Sequence, residues 1–443
     1  MPDVKPWLTT ANRKELSQLL GKVNLHLLYK ARVHGFRADV FHAKCDKQGP
    51  TLTVGYNKAG YVFGGYTSKD FDTSGFDVKD NKAFLFRLSD EKAEGTPKKL
   101  AINQGAEAIC NHISCGPNFG GILQFLVKGK AVVLQLKFPQ SYNLYERDLS
   151  GCDIDPVECE VYRVEELGAP WRNVTWTTNR RQELLGIVRS YRPYGNSASK
   201  VRVLLIGPVG GGKSSFINSV NSNFRGHVTN RALIGSGLTS TTTMYSTYTF
   251  RGGKCGISAP LILCDTMGLA EDTESGIRTD DLISIIKGHV PNKYRFNPTS
   301  PIHADTNSCI KSATVAERIH CVAYVIDASK LTMLSPEMKK KIHAIQSQIN
   351  QLEIPQIVLL TKVDKECPLV ANDLEMVYHS DLIVNKVTEI GQQLGIPISY
   401  IIPVKNYWSD HELDNATDIL ILSALVQILR YADDYFENLD AAC

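Results

Sequence analysis

The sequence predicts a two-part chain: a β-rich α+β unit first, then an α/β unit whose parallel sheet is covered by helices. Three observations carry that expectation. Up to about residue 165, short β-rich runs such as "TLTVGY", "GYVFGGYT" and "AVVLQLKF" recur between clusters of Gly, Pro, Asn and Asp. From about residue 200, buried-strand runs alternate with helix-length segments. The 443 residues, 43% apolar and 21% charged, are sufficient for more than one core.

Within residues 1–165, "AFLFRL", "ILQFLV" and "CEVYRV" extend the strand series, which reads as sheet packed on sheet. One helix is expected around "RADVFHAKC". Residues 166–199 read as a helical connector and linker: helical periodicity runs over 178–190, then Pro193, Gly195, Asn196 and Ser197 break it. Residues 200–443 supply the strands "VRVLLIG", "TYTFRG", "LILCDT", "CVAYVID", "PQIVLLTK" and "ISYIIPV". Uninterrupted apolar strands separated by helices imply a parallel sheet buried on both faces. The closing "TDILILSALVQILRYADDYF" fits an amphipathic helix docked on that sheet.

Composition narrows the function classes. A net charge of +3 is nearly balanced for this length, and offers no basis for nucleic acid as a partner. No window reaches the run of apolar residues a membrane span needs. The opening "MPDVKPWLTT" lacks the charged and apolar regions of a secretory signal. Eleven scattered cysteines, none in a C-x-x-C pair, read as reduced thiols of a cytoplasmic protein. The sequons at Asn173 and Asn415 are then chance matches.

The chemistry concentrates in "VRVLLIGPVGGGKSSF". Gly207-x-x-x-x-Gly212-Lys213-Ser214 follows a strand and opens a helix, the setting a phosphate loop requires. Amides of a glycine-rich loop, here with Gly210 and Gly211, point at phosphate oxygens, assisted by the helix N-terminus at Ser215. Lys213 is placed to reach the β- and γ-phosphates, and the Ser214 hydroxyl to ligate Mg²⁺. "LILCDTMG" ends a strand in Asp265, suited to hold Mg²⁺ through water, and Gly268, suited to face the γ-phosphate. "IVLLTKVD" ends another strand in Thr361-Lys362-Val363-Asp364. A carboxylate at Asp364 accepts from guanine N1–H and the 2-amino group, donors that adenine lacks, while the Lys362 stem lies along the base.

In that order these motifs resemble P-loop GTPases of the translation-factor and dynamin-like type. The resemblance implies a switch threonine in "LTSTTTMY", among Thr239, Thr241, Thr242 and Thr243, with Thr242 joining Ser214 and Asp265 in the metal set. It also implies a base-contacting loop in "PVKNY", where the backbone near Val404, Lys405 and Asn406 faces guanine O6. Departures matter as much. Val209 stands where Ras-like GTPases carry Gly, and Leu269 where they carry the water-orienting Gln. Thr361 replaces the usual Asn, losing an amide that braces the pocket. GTP or GDP with Mg²⁺ is thus the expected ligand, and catalytic residues are not assigned.

The first part resembles a TLDc domain through Tyr29, Gly35-Phe36, Phe41-His42, Cys45, Gly49-Pro50-Thr51-Leu52 and the run from Gly60 to Thr67. That resemblance implies an interaction module. His42 and Cys45, one helical turn apart, raise a metal or nucleophile reading, but helix-face packing accounts for them more simply. A TLDc-like part followed by a GTPase-like part resembles the interferon-induced protein 44 family. The family resemblance implies a cytoplasmic, interferon-inducible switch or scaffold in innate antiviral response and growth restraint, with weak or partner-dependent hydrolysis. A GTPase stimulated by self-assembly, as in dynamin-like proteins, is the alternative. The polar insertion over 271–316 suits partner or assembly contacts, or simply fills surface.

Overall fold

The computed structural model describes residues 4–88, 97–127, 130–134, 149–150, 156–195, 197–232, 242–252, 258–270, 276–297, 302, 310–333 and 335–441. The chain forms two compact units, Met1–Ala169 and Pro170–Cys443.

In the first unit the strands are β1 (Val23–Lys30), β2 (Thr51–Asn57), β3 (Val62–Thr67), β4 (Asp77–Lys79), β5 (Phe84–Arg87), β6 (Lys98–Ala101), β7 (Glu107–Cys110), β8 (Asn118–Phe119), β9 (Leu123–Val127), β10 (Lys130–Leu134) and β11 (Pro156–Glu166). Six of them make an antiparallel sheet in the order β1-β11-β2-β3-β5-β6. A three-stranded sheet, β10-β9-β8, supplies the second layer. Side chains alternate across the large sheet, so Leu52, Val54 and Tyr56 of β2 join one cluster with Leu16 of the helix Thr10–Leu20. Phe63 and Val161 face the other way, into a cluster with Phe119, Leu123 and Phe125 of the small sheet. A Cβ on Gly65 would lie 2.7 Å from the Phe119 ring, and one on Gly55 2.7 Å from Phe125, so glycine there lets the two layers close. The expected helix is present as Ala38–Cys45.

One polar hub is sealed inside this unit. The Glu160 carboxylate, fully buried, accepts from Lys30 Nζ at 2.9 Å, Trp7 N at 2.8 Å, Tyr56 Oη at 2.9 Å and Tyr162 Oη at 2.6 Å. Four donors compensate the desolvation that an ionised carboxylate suffers out of water. His42 and Cys45 are structural. His42 Nδ1 meets Asp46 at 2.7 Å and its Nε2 faces Cys115 O at 2.9 Å, while burial pushes the Cys45 thiol well up.

The second unit carries β12 (Val201–Ile206), β13 (Ser246–Arg251), β14 (Ser258–Asp265), β15 (Cys321–Asp327), β16 (Gln356–Thr361) and β17 (Ile401–Pro403) in the order β13-β14-β12-β15-β16-β17. All neighbours are parallel except β13, which runs antiparallel to β14. The sequence reading placed "TYTFRG" in a parallel sheet. The six-residue connection 252–257 is too short for a crossover helix, so the strand must turn back as an edge. Helices Lys213–Arg225, Pro336–Gln351, Asp381–Leu394 and Asn415–Ala441 cover the sheet. The helix Thr178–Ser190, expected as a connector, belongs to this unit's core: Leu184 and Val188 are buried with β12, and Arg181 Nε donates to Asp418 at 2.5 Å. In the insertion the helix Thr279–Ile286 forms, whereas 271–275, 298–301 and 303–309 lie outside the described residues.

His320, fully buried at the start of β15, is held neutral. Its Nδ1 accepts from Arg202 N at 3.0 Å, its Nε2 faces Val315 O at 2.8 Å, and Tyr435 and Phe436 pack on the ring. Burial lowers its pKa from 6.5 to about 4. The unfolded chain therefore binds the proton first as pH falls. Stability present above about pH 6.5 is lost toward pH 4, by up to about 3 kcal/mol for a shift of this size. Thermal denaturation between pH 7 and pH 4.5 should show this slope, and His320→Gln should flatten it.

Candidate functional site

The strand ends of β12, β14, β15, β16 and β17 converge on the loop that joins β12 to the helix Lys213–Arg225. Gly207, at φ 149°, passes so close to β15 that a Cβ would lie 2.3 Å from Val325 O. Gly212 caps the helix at φ 102°, in the left-handed region that favours glycine.

Five carbonyls of this loop, those of Gly207, Pro208, Gly210, Gly211 and Gly212, are occupied by the protein itself. Lys213 Nζ donates to Gly207 O at 3.0 Å and Pro208 O at 3.1 Å. Lys362 Nζ donates to Gly210 O at 2.8 Å, Thr361 Oγ1 to Gly211 O at 2.6 Å, and Asn406 Nδ2 to Gly212 O at 3.3 Å. Of the loop amides, Val209 N is bonded to Leu269 O and Gly211 N to Pro208 O, while those of Gly210, Gly212 and Lys213 have no protein partner among the described residues and can turn to an anion. Lys213 is 7% exposed, and burial lowers its ammonium to about 8, with Asp265 opposing the shift. An anion in the loop would supply the countercharge that burial denies it.

Ser214 Oγ donates to Asp265 Oδ2 at 2.8 Å, and Thr266 N donates to Asp265 Oδ1 at 3.1 Å. Burial raises the Asp265 carboxyl, while Lys213, Ser214 and the Thr266 amide pull it down. The hydroxyl–carboxylate pair is the donor set a hard divalent cation uses, and a buried carboxylate beside it suits that charge. Ser215 occupies the first turn of the helix, half-buried.

The D-x-x-G segment is stitched to the phosphate loop. Leu269 N donates to Gly207 O at 2.9 Å and Val209 N to Leu269 O at 3.3 Å. A Cβ on Gly268 would lie 2.6 Å from Val209 Cγ2. Leu269 itself is 1% exposed and lies in the core.

At the base motif, the Asp364 carboxylate has no protein partner among the described residues. Lys362, at φ 58°, ties the motif to the loop and pairs with Asp327 Oδ2 at 2.6 Å. In the last loop Lys405 Nζ reaches Asp410 at 3.5 Å. Two sequence expectations need correction here. Thr361 was expected to leave the pocket unbraced, yet its hydroxyl bonds Gly211 O and Asn406 adds an amide from the next strand end. Val404 was among the backbone donors expected for the base, but its N–H is committed to Leu360 O at 2.8 Å. The N–H groups of Lys405 and Asn406 remain without a protein partner among the described residues.

Residues 8–165 match the TLDc domain family. The whole chain is 36% identical to human interferon-induced protein 44 over 98% of its own length and 94% of that protein. It is 36% identical to human interferon-induced protein 44-like over 99% and 96%, and 33% identical to mouse interferon-induced protein 44 over 98% of each. The chain belongs to the interferon-induced protein 44 family. Era from Aquifex aeolicus, solved with GDP and AlF4-, aligns over 52% of this chain and 57% of that one at 20% identity and a TM-score of 0.29. A GTP-binding protein from Sulfolobus solfataricus with GDP aligns over 52% of each at 18% and 0.26. Scores this low carry no weight for this family member, whose sheet order and loop geometry stand by themselves.

Asp327 and the side chain of Asn406 escaped the sequence reading. Asp327 ends "CVAYVID", and an acidic residue closing a buried strand, with Ser329 bonding it at 2.7 Å, is a signal that could have been used. Asn406 carries no motif. Of the switch candidates, Thr239 and Thr241 lie outside the described residues, Thr242 is half-buried and Thr243 is exposed.

Thr361→Val removes the one hydroxyl that satisfies Gly211 O. Loss of about 1–3 kcal/mol is expected, read as a lower thermal midpoint at neutral pH.

Proposed function

We propose that the second unit binds guanine nucleotide with Mg²⁺, hydrolyses it slowly or only with a partner, and uses the bound state as a switch or scaffold signal. The observation that carries this reading is the loop whose Gly207, Pro208, Gly210, Gly211 and Gly212 carbonyls are bonded by Lys213, Lys362, Thr361 and Asn406, beside an Asp364 carboxylate with no protein partner among the described residues. Lys213 holds its charge where the β- and γ-phosphates would sit. Ser214 and Asp265 are the residues that would hold Mg²⁺, which neutralises phosphate charge when bound. Asp364 accepts from the two donors on the Watson–Crick edge of guanine, and adenine would leave it unsatisfied.

Slow turnover is argued from Leu269. Its side chain is buried in the core and both its backbone groups bond the phosphate loop, so it presents nothing that orients an attacking water. The relatives' names support interferon induction, and an antiviral, growth-restraining role in the cytoplasm is part of the same proposal. No helix among the described residues is long and apolar enough to cross a membrane. Protein partners are proposed to meet the TLDc unit, where Phe76 is 73% exposed and Ile113 is 64% exposed, and the 271–316 insertion. Self-assembly belongs to the same proposal.

Isothermal titration of the full chain with Mg²⁺ should give binding for GDP and GTP and at least tenfold weaker binding for ATP. Lys213→Ala should abolish it, and Asp364→Ala should erase the base preference. Tight ATP binding with none for GDP or GTP would overturn the reading. Partner pull-downs identical for Lys213→Ala and wild type would remove the switch. Leu269→Gln should lower stability by about 1–3 kcal/mol, because it buries an amide in the core, without raising phosphate release.

A further inference from the structure

We infer that the side-chain amide of Asn406 donates to N7 of the bound purine and so completes base recognition that the Thr361-Lys362-Val363-Asp364 motif leaves unfinished. This rests on the guanine reading above and goes one residue beyond it.

Guanine presents two acceptors on its Hoogsteen edge, O6 beside the N1–H that Asp364 takes and N7 beyond it. Burying either without a donor costs about 1–3 kcal/mol. The donors of the base motif are drawn elsewhere. Thr361 has a single hydroxyl proton, and Gly211 O at 2.6 Å and Ile326 O at 3.2 Å already share it. The Lys362 ammonium is drawn to Gly210 O and Asp327. The donors must come from the following loop.

That loop has few free donors. Val404 N is bonded to Leu360 O, and Tyr407 N donates to Ser219 Oγ at 3.0 Å. The Lys405 and Asn406 N–H groups suit O6. Among the side chains here, the Lys405 ammonium is turned to Asp410 at 3.5 Å, and the Asn406 carboxamide is the donor that lies against the phosphate loop. Its Nδ2 has two protons and uses one, on Gly212 O, while its Oδ1 is buried with no partner. The amide's orientation follows from that bond, because the flipped form would set two acceptors against each other. The group sits where the motifs meet: a Cβ on Gly212 would lie 3.1 Å from Asn406 Nδ2 and 3.4 Å from Thr361 Oγ1.

Asn406 is also held still. Val404 is tied to β16 on one side. On the other, Tyr407 Oη donates to Asp418 Oδ1 at 2.6 Å, and Arg181 Nε braces the second oxygen of Asp418. A donor fixed before binding loses little entropy when the ligand arrives.

The test compares GDP with 7-deaza-GDP, which has a C–H in place of N7, on the full chain as wild type and Asn406→Ala, with thermal midpoints as a check on folding. Wild type should bind 7-deaza-GDP about tenfold more weakly than GDP, the equivalent of one hydrogen bond. Asn406→Ala should bind GDP about tenfold more weakly than wild type and 7-deaza-GDP no more weakly. Asn406→Gln keeps an amide but moves it, and should resemble the alanine variant. If Asn406→Ala weakens both nucleotides equally, the residue only ties the loop to Gly212 and the inference falls while the guanine reading stands. If wild type binds GDP and 7-deaza-GDP alike, N7 has no donor and the inference falls again. If wild type binds no GDP, both readings fall together.

Discussion

The phosphate loop can exist only because other parts of the chain satisfy its carbonyls. A tight glycine-rich turn presents carbonyls to the side chains around it, from Gly211 O against buried Thr361 to Gly210 O at the exposed rim. Each unbonded carbonyl there would cost as much as the fold gains from several buried methyl groups. Lys362 and Thr361 prevent that cost at Gly210 O and Gly211 O, while Lys213 and Asn406 add to the backbone bonds that Gly207 O, Pro208 O and Gly212 O already accept. The order of strands in the sheet follows from the same demand. β16 lies one strand beyond β15 from β12, and from its end Thr361 and Lys362 reach the loop.

The two units solve burial differently. The first puts a polar hub, Glu160, inside a sandwich and satisfies it with four donors. The second keeps its sheet apolar and moves polar groups to the strand ends, where Asp265, Asp327 and Thr361 terminate β14, β15 and β16. Charge at a strand end stays close to both solvent and ligand. Charge in a core has only its neighbours, which is why removing one donor from Glu160 strands the rest.

Much of this was legible in the sequence. The phosphate loop, Asp265-Thr266-Met267-Gly268 and Thr361-Lys362-Val363-Asp364 are local patterns, and local patterns survive without coordinates. Apolar runs located the strands of the parallel sheet for the same reason. What escaped depends on partners far apart in sequence. The direction of β13 is fixed by the length of a connection, not by the strand's own residues. Asp327 matters because Lys362 reaches it across the sheet, and Asn406 because Gly212 lies 194 positions away. Thr361 looked like a loss beside an asparagine until the position of Gly211 O showed what one hydroxyl can do.

Val209 and Gly268 make a last point about this chain. Gly268 has no space for a side chain while Val209 Cγ2 occupies the place where its Cβ would stand. The two residues belong to different motifs, yet they share one small volume and cannot be altered independently. A larger residue at 268 requires a smaller one at 209, so sequence drift in either motif is bounded by the other.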